Sequence, residues 1–87
     1  MNLEEQIESR VSGSEALELV LSIAYEAEDI FIKCGVKDDF CIQAVGSEWI
    51  IFGGTNRLKW TAKWGFELQP SYCTLKFMRA FHTLKGV

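Results

Sequence analysis

The residues of this chain that are best suited to chemistry are three cysteines and one histidine. Zinc sites and nucleophile–base pairs both use these residue types, and zinc ligands usually show short, regular spacings. Cys34 and Cys41 are separated by six residues, and no Cys-x-x-Cys pair is present. Cys73 and His82 lie nine positions apart, which places them on opposite sides of a predicted helix. We therefore predict no metal and no cofactor, with a Cys3His zinc site as a minor alternative, and three reduced thiols that pack as small apolar side chains.

Two other short patterns have the composition of a catalytic or phosphate-binding motif. Asp38 and Asp39 form a carboxylate pair, but they fall at a predicted helix-to-strand junction, where acids commonly solvate a turn. Gly53-Gly54 leads into a predicted strand, so it lacks the helix N-terminus that phosphate-binding loops use. With no catalytic residues assigned, we predict that the protein is not an enzyme.

Charge is divided unevenly along the chain. The 87 residues carry nine Lys and Arg against twelve Asp and Glu, a net charge of −3. Residues 1–39 hold ten acids and three bases, a net −7, whereas residues 40–87 hold two acids and six bases, a net +4. The two halves either neutralise each other or face different partners.

Length and composition restrict the class of protein. The length predicts a single domain over residues 1–87, and an apolar content of 48% is too high for a disordered chain. No apolar run reaches the roughly 18 residues of a membrane helix. The first five residues include two glutamates and no base, whereas a secretion signal begins with basic residues. We therefore expect an intracellular, cytoplasmic protein without membrane contact.

Helical periodicity dominates the first half of the chain. It predicts a short helix over about 3–10 and a main helix over about 14–33, which is terminated by the following Gly35. Apolar residues cover more than half of the main helix, although a surface helix needs a stripe of only roughly 100°. This helix is therefore expected to be central in the domain or part of a dimer interface. Glu28 projects from the apolar arc, and it is expected either to reach water or to form a buried ion pair with a base of the second half.

Strand periodicity begins at residue 40. Strands are predicted over about 40–45 and 48–52, joined by a two-residue turn at Gly46-Ser47. Over 57–68 apolar residues alternate with mostly polar ones, which predicts one long half-buried strand with a bend at Gly65. A last helix is predicted over about 71–85.

These elements predict an α+β fold. It comprises two N-terminal helices, a three-stranded antiparallel β-meander and a C-terminal helix. The long helix and the last helix are expected to pack mainly on one face of the sheet, the face of Trp49, Trp60 and Trp64.

Three groups of residues are candidates for interaction. Bases and apolar residues share the other sheet face: Ile50, Phe52, Arg57, Lys59 and Lys63. Three residues form a basic side of the last helix: Lys76, Arg79 and His82. Five acids of the first half could meet a basic partner: Glu26, Glu28, Asp29, Asp38 and Asp39.

The leading functional hypothesis is a small non-enzymatic protein-binding module that forms a homodimer. It would act as a regulator or inhibitor of a larger protein, and a phage-type anti-defence protein is one example. The over-wide apolar helix and the mixed apolar and basic sheet face motivate this hypothesis. The alternative is a nucleic-acid-binding module that uses the basic face of the sheet and the C-terminal helix.

Overall fold

The computed structural model of the chain describes residues 6–7, 13–37 and 39–86 and shows an α+β fold. Its antiparallel sheet has four strands in the sequential order β1-β2-β3-β4. A short 3-10 helix, Pro70–Tyr72, joins the sheet to the last helix. The helices and strands are α1 (Ser14–Lys33), β1 (Phe40–Val45), β2 (Glu48–Gly53), β3 (Asn56–Thr61), β4 (Gly65–Leu68) and α2 (Leu75–Lys85).

The bounds of α1 and β1 agree with the sequence prediction. Helix α1 ends where Gly35 takes a left-handed conformation with φ of 84°. The N–H groups of Cys34, Gly35 and Val36 donate to carbonyls of the last turn, which satisfies groups that a helix end otherwise leaves unpaired.

Two-residue turns connect the first three strands. Phe40 lies opposite Gly53 in β1 and β2, and Gly53 lies opposite Asn56 in β2 and β3. Any larger residue at position 53 would be too large, because its Cβ atom would lie 2.9 Å from the ring of Phe31. This glycine therefore allows Phe31 of α1 to approach the end of β2 closely.

The prediction of one continuous strand over 57–68 is wrong. The chain reverses at residues 62–64, and Thr61 pairs with Gly65, so the segment forms the β3–β4 hairpin. The backbone N–H of Trp64 donates to Thr61 Oγ1 at 3.1 Å, and Gly65 takes a φ of 70°. A hydroxyl that accepts within the turn and a left-handed glycine after it are typical of a tight reversal.

The predicted start of the last helix at about 71 is also wrong. Thr74 is the N-cap of α2, and its Oγ1 accepts a hydrogen bond from the N–H of Phe77 at 3.1 Å. The N–H of Thr74 itself donates to the buried Oδ1 of Asn56 at 2.9 Å. This bond to β3 holds Thr74 in an extended conformation, so that the helix begins only at Leu75.

The core lies between the two helices and one face of the sheet, as predicted. Phe31 of α1 is fully buried, and its ring stacks on Phe40 of β1 and on Phe77 of α2, with centroids 5.3 Å apart in both cases. Trp49 and Trp60 pack half-buried against this core. The third tryptophan was expected beside them, but Trp64 lies in the hairpin turn with 67% of its surface exposed.

The predicted helix over about 3–10 lies outside the described residues except for Gln6 and Ile7, which are both helical and buried. Gln6 binds the outer edge of β1 through its side-chain amide. Its Nε2 donates to the carbonyl of Phe40, and its Oε1 accepts from the N–H of Ile42, each at 3.1 Å. One side chain thus satisfies backbone groups that an edge strand leaves unpaired. Neither described helix is long and apolar enough to cross a membrane.

Candidate interaction surfaces

The face of the sheet opposite the helices is called the open face here. Alternate residues of β1 point to this face, and Cys41, Gln43 and Val45 are exposed there. Val45 is 50% exposed, whereas Ile50 in the middle of the face is only 8% exposed. The residues of the open face are Cys41, Gln43, Val45, Glu48, Ile50, Phe52, Arg57, Lys59, Thr61, Gly65 and Glu67.

Arg57 lies between two aromatic rings at one end of the open face. Its guanidinium carbon is 4.8 Å from the ring centroid of Phe52, its neighbour in β2, and 3.7 Å from that of Tyr72. The 3-10 helix positions Tyr72, and a bond from Cys73 Sγ to the carbonyl of Arg57 at 3.3 Å holds the following residue against β3. Both rings lie within cation–π distance of the guanidinium, so this cation is already engaged by aromatic side chains.

Lys59 is neutralised within the same face. Its Nζ lies 3.4 Å from Oε2 of Glu48, an oxygen that is shielded from solvent. Glu67 of β4 lies directly opposite Lys59 in the register. The two acids of the basic half of the chain therefore both lie on the open face, where they balance Arg57 and Lys59.

Lys63 does not belong to the open face, although the sequence places it beside Arg57 and Lys59. It lies in the hairpin turn, and its Nζ is 5.1 Å from the ring centroid of Trp64. The correction follows from the hairpin: residues 62–64 form the reversal instead of continuing the strand.

The acidic candidates of the first half lie in different environments. Glu26 and Asp29 are exposed on the solvent side of α1, and Asp29 forms an ion pair with Lys33 at 2.8 Å. The hydrogen bond from Lys33 to Asp29 raises the pKa of the lysine ammonium. Asp39 is exposed before β1, and Asp38 lies outside the described residues.

Glu28 is half-buried on the flank of α1, and neither of the ion pairs found among the described residues includes it. The expected alternative of a buried pair with a base of the second half is therefore wrong for the part of the chain that the structure describes. Helix α1 is also not central: Leu19, Tyr25 and Ile32 remain about half exposed on it.

The basic candidates of α2 share its outer side. Lys76, Arg79 and His82 are all exposed, whereas Phe77 and Phe81 on the other side are buried in the core. Helix α2 contains no acidic residue. Its bases therefore have no neutralising neighbour on their own helix, unlike Lys33 on α1.

The thiols do not converge. Cys34 is buried, Cys73 is half-buried and Cys41 is exposed, and all three are free. Burial raises the pKa of the Cys34 thiol, which opposes formation of a reactive thiolate. Among residues 6–7, 13–37 and 39–86, no three His, Cys, Asp or Glu side chains form a group that could hold a metal ion.

Sequence reasoning missed three of the residues that shape these surfaces. The contact between Tyr72 and Arg57 could not be predicted, because Tyr72 was expected to lie in the last helix. The roles of Glu48 and Glu67 depend on strand register. A signal was present for Glu67, which alternates in phase with Arg57 and Lys59, whereas Glu48 joins the same face only through the two-residue turns that set the register.

Comparison with known proteins gives no relative from which a function could be transferred. The chain matches no protein-family model, no curated protein and no solved structure at a significant level.

Proposed function

We propose that this chain is a non-enzymatic protein-binding module, and that its partner docks on the open face of the sheet. The charge balance of this face carries the proposal. Its bases are already engaged by its own acids and aromatic rings, and its exposed apolar positions are not.

The exposed part of the open face has the composition of a protein interface. Val45 and Cys41 lie on β1 at its outer side, and Phe52 and Tyr72 enclose Arg57 at one end. Aromatic residues and arginine are enriched in protein interfaces, and lysine and acids are depleted from their centres. Ile50, which is buried in the middle of the face, is an apolar residue beneath these exposed side chains.

The same balance argues against nucleic acid as the ligand of this face. Binding to phosphates gains free energy when cationic side chains release counterions, and it needs bases that are not already paired. Lys59 is paired with Glu48, and Glu67 adds a second negative charge opposite it. We therefore favour a partner segment that presents apolar side chains and little net charge.

Binding through one face of a small domain suits a regulator or inhibitor of a larger protein. Such a role needs a surface that occupies the partner, and it needs no catalytic group. A phage-type anti-defence protein is one example of this class.

The proposal is tested by affinity capture from the source cell with matched variants. Cys41→Lys/Val45→Lys adds two charges to exposed positions of the open face, and Leu19→Lys adds a charge to an exposed apolar position of α1. The wild type and the Leu19 variant are expected to retain the same protein after nuclease treatment, and the open-face variant is expected to lose it. Retention by all three proteins, or loss from both variants, would contradict docking on this face.

The nucleic-acid alternative is tested by fluorescence anisotropy with single- and double-stranded oligonucleotides. We expect no binding at low ionic strength, where phosphate contacts are strongest. Binding that weakens steeply with added salt and is lost in Arg57→Ala would overturn the proposed function.

A further inference from the structure

The outer surface of the helical layer differs in charge from the open face. Both helices place their apolar side on the same sheet face, so their solvent-facing sides lie on one side of the molecule. On α1 one stripe of exposed positions follows helical spacing: Glu18, Ser22, Tyr25, Asp29 and Ile32. On α2 five of the exposed positions are Leu75, Lys76, Arg79, His82 and Thr83. These ten residues are called the outer helical surface.

The two halves of this surface carry opposite charge. Helix α1 contains five acids and one base, and α2 contains no acid and three lysines and arginines. The ion pairs of the described residues join Asp29 to Lys33 and Glu48 to Lys59, and none joins α1 to α2. Asp29 is thus already paired within α1. Glu18 of α1 and Lys76 and Arg79 of α2 form no ion pair among the described residues, so they remain available for charges supplied from outside.

Apolar side chains accompany these charges. Tyr25 and Ile32 are 50% and 55% exposed on α1, and Leu75 is 59% exposed on α2. Large apolar side chains next to charge are typical of interfaces in which apolar contacts supply affinity and charges set orientation.

We propose that the outer helical surface binds a second copy of this chain, with α1 of each copy on α2 of the other about a two-fold axis. The surface is self-complementary in this arrangement, because each acidic helix meets a basic helix and the contact is made twice. Pairing α1 with α1 would instead place two acidic helices against each other, at a cost in like-charge repulsion.

This association is independent of the docking proposed on the open face, because the two surfaces lie on opposite sides of the sheet and helix layers. A dimer would leave both open faces outward. Failure of one proposal therefore leaves the other unaffected.

The test uses two charge-reversal variants at exposed positions. Glu18→Lys/Asp29→Lys makes the outer side of α1 basic, and Lys76→Glu/Arg79→Glu makes that of α2 acidic. Masses are measured by sedimentation equilibrium, and circular dichroism checks that each variant is folded. The control Asp39→Lys/Glu67→Lys changes the net charge as much as the α1 variant does, but away from the helical layer.

We expect a wild-type dimer that dissociates as ionic strength rises. Each reversal variant should bind its own copy at least about a hundredfold more weakly, because like charges then face each other. An equimolar mixture of the two variants should form a heterodimer, since both helix pairs regain opposite charges. The control should dimerise as the wild type does.

Two results would overturn the proposal. One is a wild-type monomer up to about 1 mM, a concentration at which the association free energy would be weaker than about −4 kcal/mol. The other is a dimer that both reversal variants retain, which would place the contact on a different surface. The first result needs no variant, so it stands even if a reversal variant fails to fold.

Discussion

The open face and the outer helical surface carry the same kinds of side chain, but the open face pairs charges of different strands, whereas the ion pair found on the helical layer, Asp29–Lys33, lies within one helix. On the sheet, Lys59 lies 3.4 Å from Glu48 and directly opposite Glu67. On the helical layer, the acids of α1 and the bases of α2 form no ion pair with each other among the described residues.

The difference follows from the geometry of the two layers. Neighbouring strands bring side chains of one face to within about 5 Å of each other, so acids and bases that share a face pair readily. The outer sides of the two helices point away from the sheet, and the helices have few residues close to each other, so their acids and bases are not brought together as facing strand residues are. Acids and bases of neighbouring strands thus meet on the sheet, whereas the acids of α1 and the bases of α2 meet in no ion pair among the described residues.

The largest expected effect tests the core that both surfaces share. Phe31→Ala should lower the free energy of unfolding by about 3–5 kcal/mol, because it removes a fully buried ring that joins α1 to β1 and α2. Chemical denaturation measures this loss. The control Leu19→Ala, at an exposed position of the same helix, should change it by less than about 0.5 kcal/mol. Similar losses for both variants would mean that Phe31 does not join the layers.

The next effect tests the edge of the open face. Gln6→Ala should cost about 1–3 kcal/mol, since the carbonyl of Phe40 and the N–H of Ile42 lose their partner. Hydrogen exchange of the Ile42 amide should also become faster. The exposed Gln43 on the same strand is the matched control, and its change to Ala should be close to neutral. An unchanged Ile42 exchange rate would show that this amide is protected by another group.

A smaller effect tests whether contacts with aromatic rings stabilise the Arg57 guanidinium on the open face. Arg57→Lys keeps the charge but loses the contacts of the guanidinium with the rings of Phe52 and Tyr72, at a cost of about 0.5–1 kcal/mol. Arg79→Lys, at an exposed position of α2, should be neutral in the same denaturation experiment. Equal effects at the two positions would remove the distinction between a packed and a free arginine.

The smallest effect compares thiols of the two layers. Cys41 should react first with a thiol reagent and Cys34 last, because Cys41 is exposed while burial both shields Cys34 and raises its pKa. Above the ordinary thiol pKa, the unfolded chain ionises Cys34 before the folded chain does. The free energy of unfolding should therefore fall slightly as pH rises through that range, less so in Cys34→Ser. Mass spectrometry of the labelled protein gives the order of reaction.

Much of the architecture can be predicted from residue order. The bounds of α1 and β1, the two-residue turn at Gly46-Ser47 and the face of each residue in β1 and β2 follow from periodicity and turn composition, whereas Lys63 and Trp64 were assigned to faces that they do not occupy. The open face could be assigned for the same reason, because successive strand residues point to opposite sides.

The β3–β4 hairpin shows where this reasoning stops. A two-residue turn pairs an odd position with an even one, so that the alternation of apolar residues visibly changes phase between strands. The reversal at 62–64 pairs Thr61 with Gly65 and Trp60 with Phe66, positions of equal parity. Alternation therefore continues through the turn unchanged, and a hairpin has the same pattern as one long strand.

Local periodicity thus predicts which side chains share a face, since that depends only on the geometry of one strand or helix. Which charges meet depends on contacts between segments distant in sequence. Glu48 of β2 reaches Lys59 on the neighbouring strand β3, and Tyr72 reaches Arg57 only after the chain has reversed and turned again. These contacts form only when the strands pair and the chain folds back, because no single segment contains both partners.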